Sequence, residues 1–241
     1  MQSLGNPFHI HLLGDHAILI KLSKGLNEGI DQDLLALAAF IKEQKIQGIK
    51  DIILAYDNLT LVYDILDFDS NPYLYVNQLV SNFIAEASNH NAPNSASRLI
   101  EVPVCYDPSL GIDLEAAAKI ANCNIEALIQ EHTAHIYTVY CLGFLPGFAY
   151  MGDVPKKIQL PRHPQPRATV VAGSVGIAGK QTGIYPTDSP GGWQIIGRTP
   201  IKIFDTIKLS LFKAGDQVKF NPIDLALFHE LNTQEDVYQN H

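Results

Sequence analysis

The segment 141–200 constrains the fold of this chain more than any other part of the sequence. It contains ten of the 17 glycines, eight of the 14 prolines and the only tryptophan among 241 residues. Proline fixes φ and lacks a backbone N–H, and glycine favours turns, so long helices are excluded here. Short apolar runs between and beyond these residues predict many short strands, in a sandwich or a barrel. The runs are 158–160, 168–171, 194–196, 201–204 and 217–220.

The first 90 residues follow a different pattern, in which strand-like and helix-like periods alternate. Apolar residues of two predicted helices recur at the spacing of a buried helix face. The order ββαββα predicts an α+β unit whose two helices cover one face of a small antiparallel sheet. The predicted elements are strands within 8–22 that turn at Gly14-Asp15, a helix through 34–41 capped by Asn27 or Asp31, strands over 51–55 and 59–63 around a turn at Asp57-Asn58, and a helix opened by Asn71-Pro72.

A polar stretch with one proline, at 88–97, predicts the linker between two domains. We therefore divide the chain into an N-terminal α+β domain over 1–90 and a second domain, rich in short strands, over 98–241. The second domain is expected to contain a strand over 99–106, helices over 113–121 and 125–134, the latter capped by Asn124, a strand over 136–141, and a closing helix or turn over 222–231.

Composition and charge exclude several classes of function. The formal net charge of −8 argues against nucleic-acid binding, which needs a basic surface for phosphate contacts. No apolar run reaches the about 18 residues of a membrane span, and the N-terminus shows no signal-peptide pattern. Cys105, Cys123 and Cys141 are odd in number and far apart, which fits a reducing compartment rather than a disulfide framework. We therefore expect a cytoplasmic protein without a membrane span.

The glycine-rich segment is locally basic in an acidic chain. Six basic residues against two acidic ones give it a net charge of +4, which leaves −12 for the remainder. A local positive field favours an anionic ligand or an acidic partner, although a few solvated lysines would give the same charge. The basic residues are Lys156, Lys157, Arg162, Arg167, Lys180 and Arg198, and the acidic ones are Asp153 and Asp188.

Two glycine clusters within this segment, 173–181 and 189–194, admit two interpretations. Single glycines are typical of tight corners in a small barrel. Clusters that also hold Lys180, Gln181 and Trp193 are more typical of a pair of loops that line a ligand site, and we favour this interpretation.

Gly179-Lys180 and Ser174 each come close to a catalytic motif but lack its context. A phosphate-binding P-loop needs glycine at 174 and serine or threonine at 181, followed by a helix, whereas Ser174 and Gln181 stand there. Ser174 also lacks the strand-to-helix turn of a nucleophile elbow. We therefore reject both motifs, while exposed backbone N–H groups of this stretch stay candidates for holding an anion.

Histidines are candidates for metal binding or proton transfer. His132 and His135 lie three residues apart near a helix end, but without a carboxylate or cysteine cluster, so we predict no metal site. His163 stands in the segment 161–167, where three prolines fix the backbone and two arginines flank it. Arginine suits carboxylate or phosphate recognition and histidine suits general acid or base catalysis, whereas a solvated surface loop is the alternative.

Several long motifs follow one another along the chain. They are Val102–Asp107, Tyr140–Gly152, Pro161-Arg162, Pro166-Arg167, Ala172–Pro186, Ser189–Pro200 and Gly215–Phe220, with a looser one at Gly14–Ala17. In this order they resemble the bacterial family of the 5-oxoprolinase B subunit, which also includes the kinase inhibitor KipI and proteins called allophanate hydrolase subunit 1. The resemblance covers essentially the whole chain. It departs slightly at Ala149, where proline is common, and at Asp153, where glycine is common.

The resemblance implies a fold and an activity. The fold is α+β, with a small N-terminal sheet domain followed by a cyclophilin-like β-barrel, a domain related to part of the carboxyltransferase half of urea carboxylases. The activity is opening of 5-oxo-L-proline to L-glutamate with ATP as co-substrate, accompanied by Mg²⁺, in a complex with the enzyme's A and C subunits. The alternatives are a KipI-like inhibitor of a sensor histidine kinase, and an allophanate or urea-type amide hydrolase or carboxyltransferase subunit.

Under this activity the basic, glycine-rich segment is the candidate site. Phosphorylation of a lactam oxygen develops charge, and backbone N–H groups, arginines and a lysine are donors that stabilise it. Trp193 and Tyr185 are expected to wall the pocket, and Gln181 to orient a carbonyl. The catalytic candidates are His163, Lys180 and Gln181. The substrate-binding or nucleotide-binding candidates are Arg162, Arg167, Gly173, Ser174, Gly176, Gly179, Tyr185, Gly192 and Trp193.

Overall fold

The computed structural model of the chain describes residues 8–22, 32–89 and 98–239. The chain groups into two compact units, residues 1–96 and 97–241. Residues 90–97 of the expected linker, and the expected helix caps Asn27 and Asp31, lie outside the described residues. Within the described ranges, no helix is long and apolar enough to cross a membrane.

The N-terminal unit has the expected order of elements. Its described strands form one antiparallel sheet in the order β1-β2-β4-β3. The second helix begins as predicted, because Asn71 Oδ1 accepts a hydrogen bond from the Tyr73 N–H at 3.0 Å and so caps it. The elements are β1 Phe8–Leu12, β2 Ala17–Leu22, α1 Gln32–Glu43, β3 Ile49–Ala55, β4 Asn58–Tyr63 and α2 Pro72–Asn89.

One face of this sheet is buried beneath both helices. Ile18 on β2 lies opposite Leu61 on β4, and Ile20 lies opposite Leu59, so these four side chains share one face. They are buried with apolar residues of α1 and α2 in one cluster. The period-2 pattern of the strands and the helical period therefore meet in a single small core, as the sequence predicts. The helical contributions to this cluster are Leu34, Leu37, Ile41, Val76, Leu79, Val80 and Phe83.

The C-terminal unit is a closed barrel, which confirms the predicted fold class. Among its described strands, seven close in the order β10-β7-β6-β15-β5-β12-β9. Closure joins the two ends of the unit in sequence, since β15 pairs in parallel with β5. The elements are β5 Leu99–Cys105, α3 Leu114–Ile120, α4 Ile125–Ala134, β6 Ile136–Leu142, β7 Ala149–Gly152, β8 Arg167–Val170, β9 Ser174–Ala178, β10 Gln181–Ile184, β11 Ser189–Gly191, β12 Gln194–Arg198, β13 Phe204–Asp205, β14 Leu209–Ser210, β15 Gln217–Ile223 and α5 Leu225–Gln239.

The predicted helices α3 and α4 are both present, and α4 inserts a histidine into the barrel core. Asn124 Oδ1 caps α4 by accepting the Ala127 N–H at 2.8 Å, as expected. His132, on the last turn of α4, is fully buried and its ring stacks on Phe220 of β15, with centroids 4.7 Å apart. His132 therefore belongs to the packed interior and not to a metal site.

Hydrogen bonds fix the tautomer of His132. The Thr182 hydroxyl donates to the Gly176 carbonyl at 3.0 Å, so its oxygen accepts from His132 Nε2–H at 2.9 Å. Nδ1 then accepts from the Tyr106 hydroxyl at 2.8 Å. Burial lowers the pKa of His132 to about 3, which keeps the ring neutral.

The glycine cluster 173–181 is a strand hairpin, so our interpretation of it as a ligand-lining loop is wrong. Residues 174–178 form β9 and residues 181–184 form β10, and Ala178 lies opposite Gln181. Gly179 and Lys180 are the two-residue turn, with Gly179 at φ +59, as in hairpin turns with glycine first. No helix follows the glycine-lysine pair, which agrees with rejection of the P-loop.

Gly183 shows why this hairpin needs glycine away from its turn. A Cβ at Gly183 would lie 2.7 Å from the Ala149 carbonyl oxygen of β7. Close approach of neighbouring barrel strands, and not ligand binding, explains this glycine. The period-2 signal of a strand is weak where glycine replaces alternate side chains, and the sequence analysis consequently missed both strands.

Three further expectations about the second domain differ from the structure. Residues 158–160, expected as a strand, follow a 3₁₀ turn at Lys156–Ile158 and contribute only an isolated bridge between Leu160 and Gly179. Of the expected strand 201–204, only Phe204 is paired, in the short ribbon of β13 and β14. The closing helix α5 begins at Leu225 and extends beyond the expected end, to Gln239.

Candidate functional site

Asp113 is the centre of a buried polar cluster beside β12. It precedes α3 and is 5% exposed, but its side chain makes no capping hydrogen bond to that helix. Instead Oδ2 accepts the Ile195 N–H at 2.7 Å, and Oδ1 accepts from Arg167 Nη2. His163 Nε2 lies 3.3 Å from Oδ2. A carboxylate this deeply buried needs paired donors, and Arg167 supplies the compensating charge.

The proline-rich segment 161–167 brings His163 and Arg167 to this carboxylate. Its backbone is attached at Pro161, whose carbonyl accepts from Gln194 Nε2 at 2.9 Å, and at His163, whose N–H donates to the Gly192 carbonyl at 2.7 Å. Arg167 is the first residue of β8 and lies opposite Gly191 of β11. The structure therefore brings together residues that are 54 positions apart in sequence, Asp113 and Arg167.

Arg162 lies over an aromatic cluster at the edge of this site. Its Cζ is 5.9 Å from the centre of the Trp193 ring, a distance at which the cation is attracted to the ring face. Trp193 in turn meets Phe148 edge-to-face at 5.3 Å, and Phe148 meets Tyr185 at 5.3 Å. The Arg162 side chain is exposed, so its guanidinium is presented to solvent.

The expectation that Trp193 and Tyr185 wall an open pocket is wrong. Trp193 is 5% exposed and Tyr185 is 1% exposed, and both belong to a small core cluster outside the barrel interior. Burial also raises the pKa of Tyr185, so its hydroxyl stays protonated. These rings support the segment that carries Arg162 and do not face a ligand directly.

The glycine N–H groups expected to hold an anion are already paired. Gly173 N–H donates to the Tyr185 carbonyl at 2.7 Å, and Gly179 N–H donates to the Leu160 carbonyl at 2.7 Å. Ser174 N–H donates to the Val171 carbonyl at 3.1 Å. The anion-binding role of these backbone groups is therefore wrong, because each donor serves the barrel.

The candidate residues divide between the two ends of β9. Lys180 and Gln181 lie near the polar cluster, since Gln194 pairs with Ile177 two residues before the hairpin turn. Lys180 is exposed and Gln181 is half-buried at the start of β10. Ser174 and Gly173 lie at the opposite end, where Ser174 pairs with Arg198. Gly176 lies between them, buried opposite Ile195.

Three buried polar atoms at the cluster lack a hydrogen-bond partner within the described part of the chain. They are Gln194 Oε1, Arg167 Nη1 and His163 Nε2, the last of which has the Asp113 carboxylate at 3.3 Å without hydrogen-bond alignment. Gln194 is only 3% exposed. Buried polar groups are nearly always paired in folded proteins, so several unpaired ones in one place indicate a binding site for a polar ligand.

Asp113 and Gln194 are the functional candidates that the sequence analysis missed. Asp113 has the pattern of a helix start and Gln194 that of a strand residue, and both descriptions are locally correct. Their roles come from partners more than 30 positions away, which no local pattern indicates. Among the described residues, no group of three or more His, Cys, Asp or Glu side chains is arranged to hold a metal ion.

Comparison with protein families assigns the chain. Residues 8–211 match the family of the carboxyltransferase domain, subdomain C and D. A Bacillus subtilis protein, named as the B subunit of 5-oxoprolinase, is 40% identical over 231 residues, which cover 92% of this chain and 95% of that protein. This chain belongs to the 5-oxoprolinase B subunit family. A Haemophilus influenzae protein of the same name is 42% identical over 187 residues, or 76% of this chain and 84% of that protein.

Solved structures share the fold of this family member. The crystal structure of TTHA0988 matches with a TM-score of 0.75 and 33% identity, over 86% of this chain and 40% of that chain. The Kluyveromyces lactis urea amidolyase matches with a TM-score of 0.70 over 96% of this chain and 16% of that chain. Its identity of 18% shows a shared fold alone. In both cases the fold occurs as part of a longer chain.

Proposed function

We propose that this chain is the B subunit of an ATP-dependent 5-oxoprolinase, which opens 5-oxo-L-proline to L-glutamate in a complex with the enzyme's A and C subunits. The observation that carries the proposal is identity of 40% to a protein named as the B subunit of 5-oxoprolinase, across nearly the full length of both chains. The polar cluster around Asp113 supports it, because it offers an acid or base, cations and an unpaired acceptor at one place.

The chemistry of a lactam explains why such a set of groups is useful. Resonance makes the amide carbon a poor electrophile, and transfer of the ATP γ-phosphoryl group to the amide oxygen releases ADP and creates a leaving group. Water then adds to the same carbon, phosphate leaves, and the ring C–N bond breaks with a proton added to nitrogen. Each step moves charge or a proton, which positioned donors and bases accelerate.

We assign roles within this scheme from position and charge. His163, oriented by Asp113 at 3.3 Å, is the candidate acid or base for the water step. Arg162, exposed above Trp193, is the candidate for the carboxylate of 5-oxoproline. Lys180 and Arg167 are candidates for phosphate oxygens, with Mg²⁺ entering together with ATP. Gln181, at the start of β10, stays a candidate for orienting a carbonyl.

The experiment that tests the function is reconstitution from separately purified proteins. ATP-dependent release of glutamate from 5-oxoproline is measured with all three subunits mixed, and with each omitted in turn. We expect turnover only with all three. An unchanged rate without this chain would contradict the proposal.

A second candidate function is supported by the likeness to urea amidolyases. A Lachancea kluyveri protein of that name is 46% identical over 59 residues, which cover 21% of this chain and 3% of that protein. The candidate is a subunit that acts on urea-type amides such as allophanate. Replacing 5-oxoproline by urea or allophanate in the same reconstitution separates the two, because the amide that supports ATP hydrolysis identifies the substrate.

A further inference from the structure

The orientation of the Gln194 amide is fixed by its only possible arrangement against Pro161. The Pro161 carbonyl oxygen can only accept a hydrogen bond, so the Gln194 Nε2 amino group faces it at 2.9 Å. The amide oxygen must then point to the other side, where it has no partner within the described residues. Gln194 therefore presents a buried acceptor whose direction is held by the segment 161–167.

A donor lies beside this acceptor. Ile195, the neighbour of Gln194, donates its N–H to Asp113 Oδ2, while Arg167 Nη2 occupies Oδ1 of the same carboxylate. The second guanidinium nitrogen, Arg167 Nη1, is buried without a partner among the described residues. Asp113 thus fixes Arg167 on one side of the site while Pro161 fixes Gln194 on the other.

An acceptor and a donor side by side match the edge of a cis amide. A five-membered lactam holds its N–H and its C=O on the same side of the amide bond, so one edge offers a donor next to an acceptor. We propose that Gln194 is a specificity-determining residue, whose Oε1 accepts from the lactam N–H while Arg167 Nη1 donates to the lactam oxygen. This inference rests on the proposed function and names the groups that recognise its substrate.

The segment 161–167 is the cover of this site. The unpaired atoms of Gln194 and Arg167 are shielded from solvent, and the segment crosses over them between its attachments at Pro161 and His163. A ligand reaches these atoms when the segment lifts. The hydrogen bond from Gln194 to Pro161 then links recognition of the amide to closure of the cover.

The test compares the lactam with its lactone analogue, 5-oxotetrahydrofuran-2-carboxylate, in which ring oxygen replaces N–H. The kcat/KM for ADP release is measured for both compounds with the reconstituted complex that contains wild-type chain or Gln194→Met. The intrinsic reactivities of the two compounds cancel when the lactam-to-lactone ratio of the variant is divided by that of the wild type. We expect this ratio to fall by at least about 100-fold, because a site built to bind N–H rejects an analogue that lacks it.

Gln159→Met is the matched control. Gln159 Nε2 donates to the Val154 carbonyl at 2.9 Å, so this variant also removes a hydrogen bond from glutamine to a backbone carbonyl. It is expected to keep the wild-type ratio. A ratio that is equally reduced in both variants would show loosening of the fold instead of amide recognition, and would overturn the proposal.

The remaining outcomes separate this inference from the proposed function. An active wild-type complex with an unchanged ratio in Gln194→Met would overturn the role of Gln194 and leave the function standing. A wild-type complex that releases no ADP with the lactam would contradict the function itself. If Gln194→Met is inactive with both compounds, inhibition of the wild type by the lactone decides. An inhibition constant equal to the KM of the lactam overturns the proposal, whereas one at least about tenfold higher supports it.

Discussion

At the scale of the residue, the Asp113 carboxylate is the group on which the site depends. Asp113→Asn keeps an oxygen that accepts the Ile195 N–H but removes the charge that balances Arg167. Because Arg167 is partly solvated, we expect a loss of roughly 1–3 kcal/mol in stability. We expect kcat/KM of the reconstituted complex to fall by at least about tenfold, since His163 and Arg167 lose their common partner. Steady-state kinetics and thermal unfolding measure the two effects.

Asp216→Asn is the control for that prediction. Asp216 is another buried aspartate, and it pairs with Arg98 through both carboxylate oxygens, away from the segment 161–167. It is expected to lose stability to a similar degree while the folded complex keeps its kcat/KM. Equal losses of activity in both variants would show that Asp113 acts only through folding.

His132 makes a second residue-scale prediction, on pH. Its pKa is about 3 in the folded protein because of burial, against about 6.5 in the unfolded chain. Between these values the unfolded state binds the extra proton, so stability falls as pH drops below about 6.5. From pH 7.5 to pH 5 we expect the barrel to lose about 2 kcal/mol through this group, and His132→Gln to lack this loss.

Urea unfolding followed by the fluorescence of Trp193 measures this effect. Trp193 is the only tryptophan in the sequence and packs outside the barrel strands, so its signal reports the barrel. Other titrating groups cancel when the wild type is compared with the variant at both pH values. Parallel pH dependence in the two proteins would rule out titration of His132 as the cause.

At the scale of the element, sequence patterns predicted what local periodicity determines. Helices and strands of the N-terminal unit carry full apolar periods, and α4 carries its Asn124 cap, so all were predictable. β9 and β10 were missed because Gly176 and Gly183 remove side chains from the alternation. The site itself was predictable only in the segment 161–167, since its other partners join it through barrel closure.

Gly183→Ala tests the close approach of β10 and β7. The added Cβ would lie 2.7 Å from the Ala149 carbonyl oxygen and 3.3 Å from rings of Phe148 and Trp193. Strand and rings must shift, and we expect a loss of about 1–3 kcal/mol and a Tm lower by several degrees. Gly143→Ala is the control, because a Cβ there meets no atom within 4 Å. An unchanged Tm for Gly183→Ala would show that the two strands separate at little cost.

At the scale of the whole molecule, the two units have separate apolar cores. The described buried cluster of the first unit contains residues between Phe8 and Phe83, and the described clusters of the second lie between Val102 and Phe220. The basic segment and the polar cluster belong entirely to the second unit. We therefore expect the fragment 98–241 to fold alone, because its length and core are those of an independent domain.

Circular dichroism and Trp193 fluorescence of this fragment test the prediction. We expect a strand-rich spectrum and a cooperative thermal transition, with Trp193 emission as in the full chain, because its ring neighbours Phe148 and Tyr150 lie in the same unit. The fragment 107–241 is the control, since it lacks β5, the strand that joins β15 to β12 and closes the barrel. It should not fold. Emission from the fragment 98–241 like that of the urea-unfolded chain would mean that the barrel requires the first unit.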